Sequence, residues 1–290
     1  MEILRSFLFM PGDKERILDK ISMLAADAFI LDLEDSVPVN NKEIARINTS
    51  NKLASPDVKD KIIFIRINDL DSSYVYKDID CTMGCNVYGY MIPKFEDVKK
   101  LEKIIDYISD KETKLKLDCK LKIILMIESA KGLFELNKIV DTLYDRIIAV
   151  ALGAEDYLFS LSEFGTVSDT MVDFARKTII LYSKANSLLP IDTVYRDFKN
   201  SQGLKDELEK IKGMGFSSKL AIHPDQVDII NYGFTPGTLE IDRAKMILKY
   251  KKDIESKGAI SIDGVMFEAP HLKWAQKIEA YVDKINRGHP

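Results

Sequence analysis

The sequence predicts an α/β fold, a (β/α)8 TIM barrel followed by a C-terminal helical arm. Short apolar runs rich in Ile, Val, Phe and Tyr alternate along the chain with longer segments of helical spacing. There are eight such runs, and eight parallel strands joined by helices close most naturally into a barrel. The alternative, an open doubly wound sheet, is less favoured because no glycine-rich phosphate-binding loop follows the first run.

The apolar runs themselves are the predicted strands. They cover residues 4–10, 28–34, 62–68, 87–93, 122–128, 147–153, 191–196 and 219–224. The spacing between them predicts helices over residues 13–24, 41–54, 95–108, 132–143, 168–187 and 202–214. Residues 69–86 form the most polar interval of the chain, which predicts a surface loop.

The eighth strand ends well before the chain does, so we expect a barrel over residues 1–233 and an arm over residues 234–290. The arm combines a helix over 238–256, an apolar segment and a last helix over 271–286. Its apolar residues need cover, on their own barrel or on a neighbouring one, because together they would form a large exposed patch. They are Ile260, Ile262, Val265, Met266, Phe267 and Trp274.

Composition excludes several classes of protein. The chain has 42 Lys and Arg against 46 Asp and Glu, interspersed, so we expect no nucleic-acid partner. No uncharged apolar stretch approaches the roughly 20 residues that cross a bilayer, and the N-terminus lacks a secretory pattern, so we expect no membrane span and a cytoplasmic location. Cys81, Cys85 and Cys119 have no nearby histidine and are assigned to packing rather than to zinc or disulfides.

Polar residues end several predicted strands, where a barrel of this kind places its chemistry. Glu128 ends strand five and Asp156 follows strand six, so two carboxylates are expected side by side on adjacent strands. A few oxygen ligands suit Mg²⁺, which completes its coordination with water and substrate oxygens. The alternative is that each carboxylate caps the helix that follows it.

Two cations and three further carboxylates accompany this pair. Arg66 lies within an apolar strand and must find a carboxylate, either on a substrate or on Glu34 of the neighbouring strand. Lys94 is either a Schiff-base lysine or an ordinary surface cation. Asp32, Glu34 and Asp35 either orient Arg66 and metal-bound water or cap the next helix.

Seven sequence blocks carry a family resemblance. They are FLFMPG, ILDLEDSV, IRIN, MIPK, MIESAKGL, ALGAEDY and AIHPDQV. In this order and at these intervals they resemble the citrate lyase beta-subunit family, within a superfamily of Mg²⁺-dependent carbon–carbon lyases that includes malyl-CoA and citramalyl-CoA lyases. The resemblance covers residues 4–269, and seven blocks in register make it specific.

The resemblance implies a (β/α)8 barrel whose arm packs on a neighbouring subunit, in trimers or hexamers. By the matching blocks, Glu128 and Asp156 are expected to hold Mg²⁺, and Arg66 to bind the keto-acid part of the substrate. Three backbone amides are expected to assist: those of Gly153, Ala154 and Glu155.

The resemblance to the malyl-type lyases also implies a proton-donating acid, an aspartate in a C-terminal segment of pattern DG-x-M-x-D-x-P that the adjacent subunit supplies. This chain reads DGVMFEAP, so Glu268 stands in that place. A glutamate keeps the carboxyl group but reaches one methylene further, which preserves, retunes or abolishes proton transfer. The alternative is that Glu268 is a solvated residue of a non-catalytic arm.

The expected function is therefore a Mg²⁺-dependent lyase that cleaves a carboxylated 3-hydroxyacyl thioester to an acetyl thioester and a 2-keto acid. Citryl, citramalyl and malyl thioesters all fit, carried either by coenzyme A or by an acyl-carrier protein, the latter in a citrate lyase complex with partner subunits. Two alternatives stay open: a Schiff-base aldolase using Lys94, and a non-catalytic assembly or ligand-binding paralogue.

Overall fold

The computed structural model describes residues 2–84, 86–139, 143, 145–162 and 169–286. Within them, eight parallel strands close into a barrel in chain order, and β8 pairs with β1. They are β1 (Ser6–Pro11), β2 (Ala28–Asp32), β3 (Ile63–Arg66), β4 (Gly89–Ile92), β5 (Lys122–Ile127), β6 (Ile147–Leu152), β7 (Leu189–Asp192) and β8 (Ser218–Ala221). The predicted (β/α)8 barrel is confirmed.

Apolar side chains from alternate strand positions fill the barrel interior. Phe7, Ile30 and Phe64, on three successive strands, are fully buried there, and the rings of Phe7 and Phe64 lie 6.1 Å apart. Both faces of a parallel barrel are covered, which is why all five residues of β2 are buried. The interior is thus a packed core, and the carboxyl ends of the strands are left to carry polar side chains.

Helices connect the strands, and one predicted helix is interrupted. They are α1 (Glu15–Leu18), α2 (Lys42–Ala54), α3 (Val75–Thr82), α4 (Val98–Leu115), α5 (Ala130–Glu135), α6 (Ala154–Leu161), α7 (Asp169–Ala185), α8 (Ser201–Met214) and α9 (Val227–Phe234). The helix predicted over 13–24 is only α1 and a 3₁₀ turn at Ile21–Met23. Of the helix predicted over 132–143, residues 140–142 lie outside the described residues.

The surface loop predicted over residues 69–86 is wrong, because this interval contains α3. Asp78 in α3 is fully buried and accepts hydrogen bonds from the backbone and side-chain amides of Asn68 at 2.8 and 2.7 Å. Arg46 of α2 also donates to it, at 3.2 Å. Polar composition indicated a loop, but these polar groups satisfy one another inside the protein, where burial of a paired carboxylate is tolerated.

The seventh strand begins and ends earlier than predicted, at Leu189–Asp192 instead of 191–196. Pro190 lies inside it, beside Val150 of β6, despite its missing N–H group. Asp192 is fully buried. Its carboxylate accepts hydrogen bonds from Arg176 at 2.7 Å and from Lys219 at 2.6 Å. Asp192 is the last residue of the strand, and the next residue, Thr193, lines a cavity at the mouth of the barrel.

The chain divides into two compact units, Leu4–Gly233 and a smaller unit built mainly from the residues after Gly233. The smaller unit contains α10 (Thr238–Lys249), α11 (Lys251–Lys257), an antiparallel hairpin of β9 (Ala259–Ile262) and β10 (Val265–Glu268), and α12 (Ala269–Asn286). The single helix predicted over 238–256 is broken at Tyr250.

The smaller unit has a core of its own. Ile262 and Phe267 of the hairpin are buried in it, whereas Val265 and Met266 are exposed. The turn between the strands has positive φ at Asp263 (50°) and Gly264 (81°), as a two-residue hairpin loop requires. Packing of this unit on a neighbouring subunit stays a prediction.

The cysteines were expected to be packing residues, and no helix was expected to span a membrane. Cys81 and Cys119 are exposed, so their assignment to packing is wrong, and Cys85 lies outside the described residues. Among the described helices, none is both long and apolar enough to cross a membrane.

Candidate active site

Three carboxylates converge at the carboxyl ends of the barrel strands. Glu128 follows β5, Asp156 lies in the first turn of α6, and Asp35 lies in the turn after β2. One oxygen of each lies within 4.8 Å of the others. The structure therefore brings together Glu128 and Asp156, the two predicted metal ligands. Asp35 lies in the same cluster, although it was expected only to orient Arg66 and metal-bound water or to cap the next helix.

Neighbouring backbone fixes the Glu128 carboxylate. The backbone N–H of Lys94 donates to Oε2 of Glu128 at 2.6 Å. Lys94 adopts the left-handed region, with φ at 47°, which is strained for a residue with a side chain. On the other side, Gly153 at the end of β6 packs directly against Glu128. Strained backbone of this kind persists where the surrounding structure holds it, commonly at functional sites.

Burial and neighbouring negative charges favour the protonated form of the Glu128 carboxyl group. Burial, together with the negative charges of Glu34 and Asp156, raises its pKa to about 8, and the Lys94 amide and Arg66 only partly oppose this. A buried carboxylate with so high a pKa is stabilised by any cation that binds beside it. The cluster of three carboxylates provides a place for a divalent cation, and its ligands are all oxygens, which hard cations prefer.

Arg66, at the end of β3, is held chiefly by Asp32. Its Nε and Nη2 atoms donate to the two oxygens of Asp32 at 2.7 and 2.6 Å, and Nη1 lies 3.3 Å from Glu34. The guanidinium also lies over the ring of Phe9, 4.7 Å from its centroid. Sequence reasoning expected Glu34 as the structural partner of Arg66, but the bidentate pair is with Asp32.

The Nη1 edge of Arg66 remains able to donate to a ligand. A guanidinium has five N–H donors, of which the pair with Asp32 uses two. Asp32 also accepts the backbone N–H groups of Glu34 at 2.9 Å and Ser36 at 3.1 Å, so it anchors the turn after β2 as well as the guanidinium. Asp32 therefore orients Arg66, as one of the two expectations held, but it does not cap the next helix: its other hydrogen bonds hold the turn after β2, and the N-cap of α2 is Asn41.

Lys94 bridges the acidic turn after β2. Its ammonium donates to Glu34 at 2.5 Å and to Asp35 at 3.1 Å. Burial alone lowers the pKa of Lys94, but the two carboxylates outweigh burial and raise it above the usual lysine value. Lys94 is therefore protonated at neutral pH, whereas a lysine that forms a Schiff base must be a neutral amine when it attacks.

A cavity of about 300 Å³ opens beside the carboxylates at the mouth of the barrel. Its polar side chains are those of Asp32, Ser36, Arg66, Glu128, Glu155, Asp156 and Thr193. Its apolar side chains are those of Phe9, Pro11, Met126, Val194, Leu220 and Ile222. A second cavity, of about 370 Å³, lies on the other side of the same carboxylates, so that Glu128 and Asp156 face both.

The amides predicted to bind substrate belong to the turn from β6 into α6. The N–H of Gly153 donates to Ile127 at 2.9 Å and that of Ala154 to Oγ1 of Thr193 at 3.2 Å, so both have acceptors within the chain. Glu155 lies in the first turn of α6, where N–H groups have no helical acceptor. Its carboxylate pairs with Arg196 at 2.8 Å.

Thr193 lines the cavity but was not predicted as a site residue, although a hydroxyl group at a strand end was an available signal.

Glu268, the remaining predicted site residue, lies in β10 of the smaller unit and is exposed. Its backbone N–H donates to Nδ1 of His271 at 3.1 Å.

The sequence is similar to known lyases over almost its whole length. Residues 5–224 match the HpcH/HpaI aldolase/citrate lyase family. The chain is 30% identical over 281 residues to the citrate lyase subunit beta of Haemophilus influenzae, which covers 96% of each chain. It is 30% identical over 285 residues to the mitochondrial citramalyl-CoA lyase of Rattus norvegicus, covering 94% of this chain and 84% of the relative.

Solved structures share the fold. A citrate lyase from Burkholderia xenovorans superposes with a TM-score of 0.82 at 16% identity, covering 100% of this chain and 94% of the other. The protein CitE from Mycobacterium tuberculosis, in complex with magnesium, acetoacetate and coenzyme A, gives 0.76 at 23% identity, covering 96% and 98%. The expected resemblance and enzyme class, a carbon–carbon lyase, are confirmed by the sequence relatives: the chain belongs to the HpcH/HpaI aldolase/citrate lyase family.

Proposed function

We propose that this protein is a Mg²⁺-dependent lyase that cleaves a carboxylated 3-hydroxyacyl thioester into an acetyl thioester and a 2-keto acid. The observation that carries the proposal is the cluster of Asp35, Glu128 and Asp156 at the edge of a cavity that also holds Arg66. The relatives named citrate lyase subunit beta and citramalyl-CoA lyase support this reaction class.

The carboxylate cluster fits Mg²⁺. Its donors are all carboxylate oxygens, and the buried Glu128 has a raised pKa that a cation would lower. Glu128 and Asp156 are the proposed ligands, and Asp35 is a third group within reach. Bound Mg²⁺ supplies Lewis acidity to the substrate oxygens it contacts. Solved relatives of this fold contain magnesium, in one case together with oxaloacetate.

The proposed cleavage is redox-neutral. The bond between the hydroxyl-bearing carbon and the carbon next to the thioester breaks, and its electron pair stays on the carbon next to the thioester. The hydroxyl group gives its proton to water and becomes the carbonyl group of the 2-oxo acid, while another proton is added at the carbon next to the thioester to give the acetyl thioester. Proton transfer of this kind needs a positioned acid, and we propose Glu268 of a neighbouring subunit for it.

The chain's own residues position the keto-acid part. Arg66 is fixed by Asp32 and Phe9 and donates from its Nη1 edge to the substrate carboxylate. Glu155, whose backbone N–H has no helical acceptor, and Thr193 line the same cavity. Glu34, Asp35 and Lys94 hold the surrounding turn in place.

The carrier and the assembly are further parts of the proposal. The thioester is carried by coenzyme A or by an acyl-carrier protein, and the chain forms homotrimers or hexamers, alone or with the other subunits of a citrate lyase complex. A Schiff-base mechanism through Lys94 is disfavoured because Glu34 and Asp35 hold its ammonium in the charged form. A non-catalytic paralogue remains the rival to be tested.

The test is turnover of malyl-, citramalyl- and citryl-CoA, each with Mg²⁺ and with excess EDTA, followed by release of the keto acid. We expect cleavage of at least one substrate with Mg²⁺ and none with EDTA, and loss of cleavage in Glu128→Ala. Because an acyl-carrier protein is the other carrier, the same three acyl groups are also presented on a carrier-protein thioester. The proposal is overturned if none of the six thioesters, three acyl groups on each of two carriers, is cleaved, or if the rate of cleavage is the same with and without EDTA.

A further inference from the structure

The substrate cavity contains one cation among the described residues that line it. Arg66 is that cation, whereas four lining residues are acidic. They are Asp32, Glu128, Glu155 and Asp156. Arg196 already pairs with Glu155 at the rim. The charges of Arg66 and of one divalent cation would balance the other three carboxylates, so a single substrate carboxylate already makes the site negative.

Arg66 does not have enough unused N–H donors to bind two substrate carboxylates. Its Nε–Nη2 edge is fully used by Asp32, and Glu34 lies 3.3 Å from Nη1. The remaining N–H groups of Arg66 suit one carboxylate beside the metal site. If the substrate carried a second carboxylate, that group would have to lie in another part of the cavity, away from Arg66.

Two uncharged hydroxyl groups, those of Ser36 and Thr193, and the backbone of Gly153 and Ala154 also line the cavity, and the remaining described side chains of its wall are apolar. Val194 and Ile222 come from the segments after β7 and β8, and Leu220 from β8 itself. Phe9 and Met126 complete this wall. An apolar wall of this kind accommodates a hydrogen or a methyl group, but it leaves a carboxylate without hydrogen-bond donors, which is costly.

Among the described residues that line it, the second cavity offers no spare cation either. It is lined by Lys94, Lys100 and Lys131, each of which already contacts a carboxylate. Lys100 lies 2.5 Å from Asp71, and Lys131 lies 3.3 Å from Glu96. Lys94 is held by Glu34 and Asp35, as described above. A second substrate carboxylate that reached this cavity would have to break one of these ion pairs.

We infer that the site selects 3-hydroxyacyl thioesters whose hydroxyl-bearing carbon carries one carboxylate and otherwise only hydrogen or a small apolar group. The corresponding keto acids are monocarboxylates of the glyoxylate and pyruvate type. Citryl thioesters, whose cleavage gives a dicarboxylate keto acid, are rejected because the second carboxylate meets an apolar and acidic wall. This inference rests on the proposed function, of which it narrows the substrate class.

The experiment compares kcat/KM for malyl-, citramalyl- and citryl thioesters on the carrier that the protein accepts. We expect the better of the two monocarboxylate-type substrates to exceed the citryl thioester by about 100-fold or more. A second measurement places a cation in the apolar wall. Ile222 is 43% exposed and belongs to that wall, so Ile222→Arg adds a charge without burying it.

Ile222→Arg should raise the ratio of citryl to citramalyl or malyl cleavage by about 10-fold or more, because it offers the second carboxylate a partner. Ile222→Gln is the matched control, similar in length and uncharged, and should leave that ratio near its original value. A citryl thioester cleaved as well as the others by the unmodified protein overturns the inference but leaves the lyase proposal standing. An equal change of the ratio in both variants also overturns it, while cleavage of no thioester at all refutes the proposed function itself.

Discussion

A β-carbon on Gly153 would lie 2.5 Å from Cγ of Glu128 and 2.9 Å from its Oε1. Real β-carbons do not approach other heavy atoms this closely, so any larger residue at the end of β6 must displace the carboxylate that follows β5. The backbone N–H of Lys94 holds the same carboxylate from the other side, at 2.6 Å. The position of Glu128 is therefore determined jointly by three neighbouring strand ends.

Gly153→Ala should weaken Mg²⁺ binding by about 10- to 100-fold, because it moves a ligand without removing it. The overpacking should also lower the free energy of unfolding, by about 1–3 kcal/mol. Calorimetric titration with Mg²⁺ measures the first effect and urea unfolding the second. Gly213→Ala is the control: this glycine lies exposed in α8 with open space around its β-carbon position, so its replacement should leave Mg²⁺ binding unchanged. Equal Mg²⁺ affinity in Gly153→Ala and the parent would show that Glu128 is not a ligand.

The raised pKa of Glu128 predicts a pH dependence of Mg²⁺ binding. In the folded chain without metal this pKa is about 8, against an ordinary value of 4.5. Mg²⁺ must displace the proton, so its apparent affinity should rise with pH, by about tenfold per pH unit below 8, and level off above it. Titrations between about pH 6 and 9 measure this, and Glu128→Gln should show no corresponding rise.

The same shift predicts the pH dependence of stability without metal. Between pH 4.5 and about 8 the folded chain retains a proton on Glu128 that the unfolded chain has lost. The contribution of Glu128 to the free energy of unfolding therefore falls as pH rises through this window and is constant above it. Urea unfolding in EDTA should show that fall in the parent and a smaller one in Glu128→Gln. A parent and variant with the same profile would contradict the assignment of the pKa to Glu128.

Arg66→Lys should weaken binding of a keto acid in the presence of Mg²⁺. The replacement loses the bidentate pair with Asp32 that orients the guanidinium, and an ammonium group offers a point charge instead of a planar fork. The expected loss is about 2–4 kcal/mol, or about 30- to 1,000-fold in affinity. Arg196→Lys is the matched control, since Arg196 is exposed at the rim and its pair with Glu155 contributes little. Unchanged affinity in Arg66→Lys would assign Arg66 to structure alone.

Lys94 should not be trapped by borohydride in the presence of pyruvate or another keto acid. Its ammonium lies between Glu34 and Asp35, whose charges raise its pKa and remove the neutral amine that Schiff-base formation needs. The intact mass of the chain and the mass of the peptide containing Lys94 measure this directly, with Lys94→Gln treated in parallel. An adduct present in the parent and absent in Lys94→Gln would establish the Schiff-base mechanism instead.

Sequence reasoning predicted the barrel because buried parallel strands are apolar on both faces and stand out from the helical spacing between them. It also brought Glu128 and Asp156 to adjacent strand ends. It did not predict that Asp35 joins them. The position of Asp35 depends on how the turn after β2 folds around the Asp32 carboxylate, which accepts two of that turn's backbone N–H groups.

Two other features depended on pairing that a sequence pattern does not reveal. Thr193 was hidden inside a predicted strand over 191–196, because the actual β7 ends at Asp192, whose carboxylate is taken by Arg176 and Lys219. The helix α3 was hidden because its polar composition resembles a loop, although its Asp78 is buried. In both cases buried polar groups satisfy one another across elements distant in the chain, and local composition gives no sign of this.

The last prediction concerns Glu268 and the assembly. If a neighbouring subunit supplies Glu268 to the barrel site, then Glu128→Ala and Glu268→Ala should each be inactive but regain partial activity when their subunits are mixed and reassembled. Some interfaces would then combine an intact barrel site with an intact Glu268. Glu128→Ala mixed with Asp156→Ala is the control, because both changes damage the same cluster of carboxylates and no mixed site becomes whole. Activity is measured on the best thioester substrate, and light scattering reports the mass of the reassembled protein. Failure of the first mixture to regain activity after proven subunit exchange, or full activity of a monomer, would refute the shared site and leave Glu268 as a surface residue of its own chain.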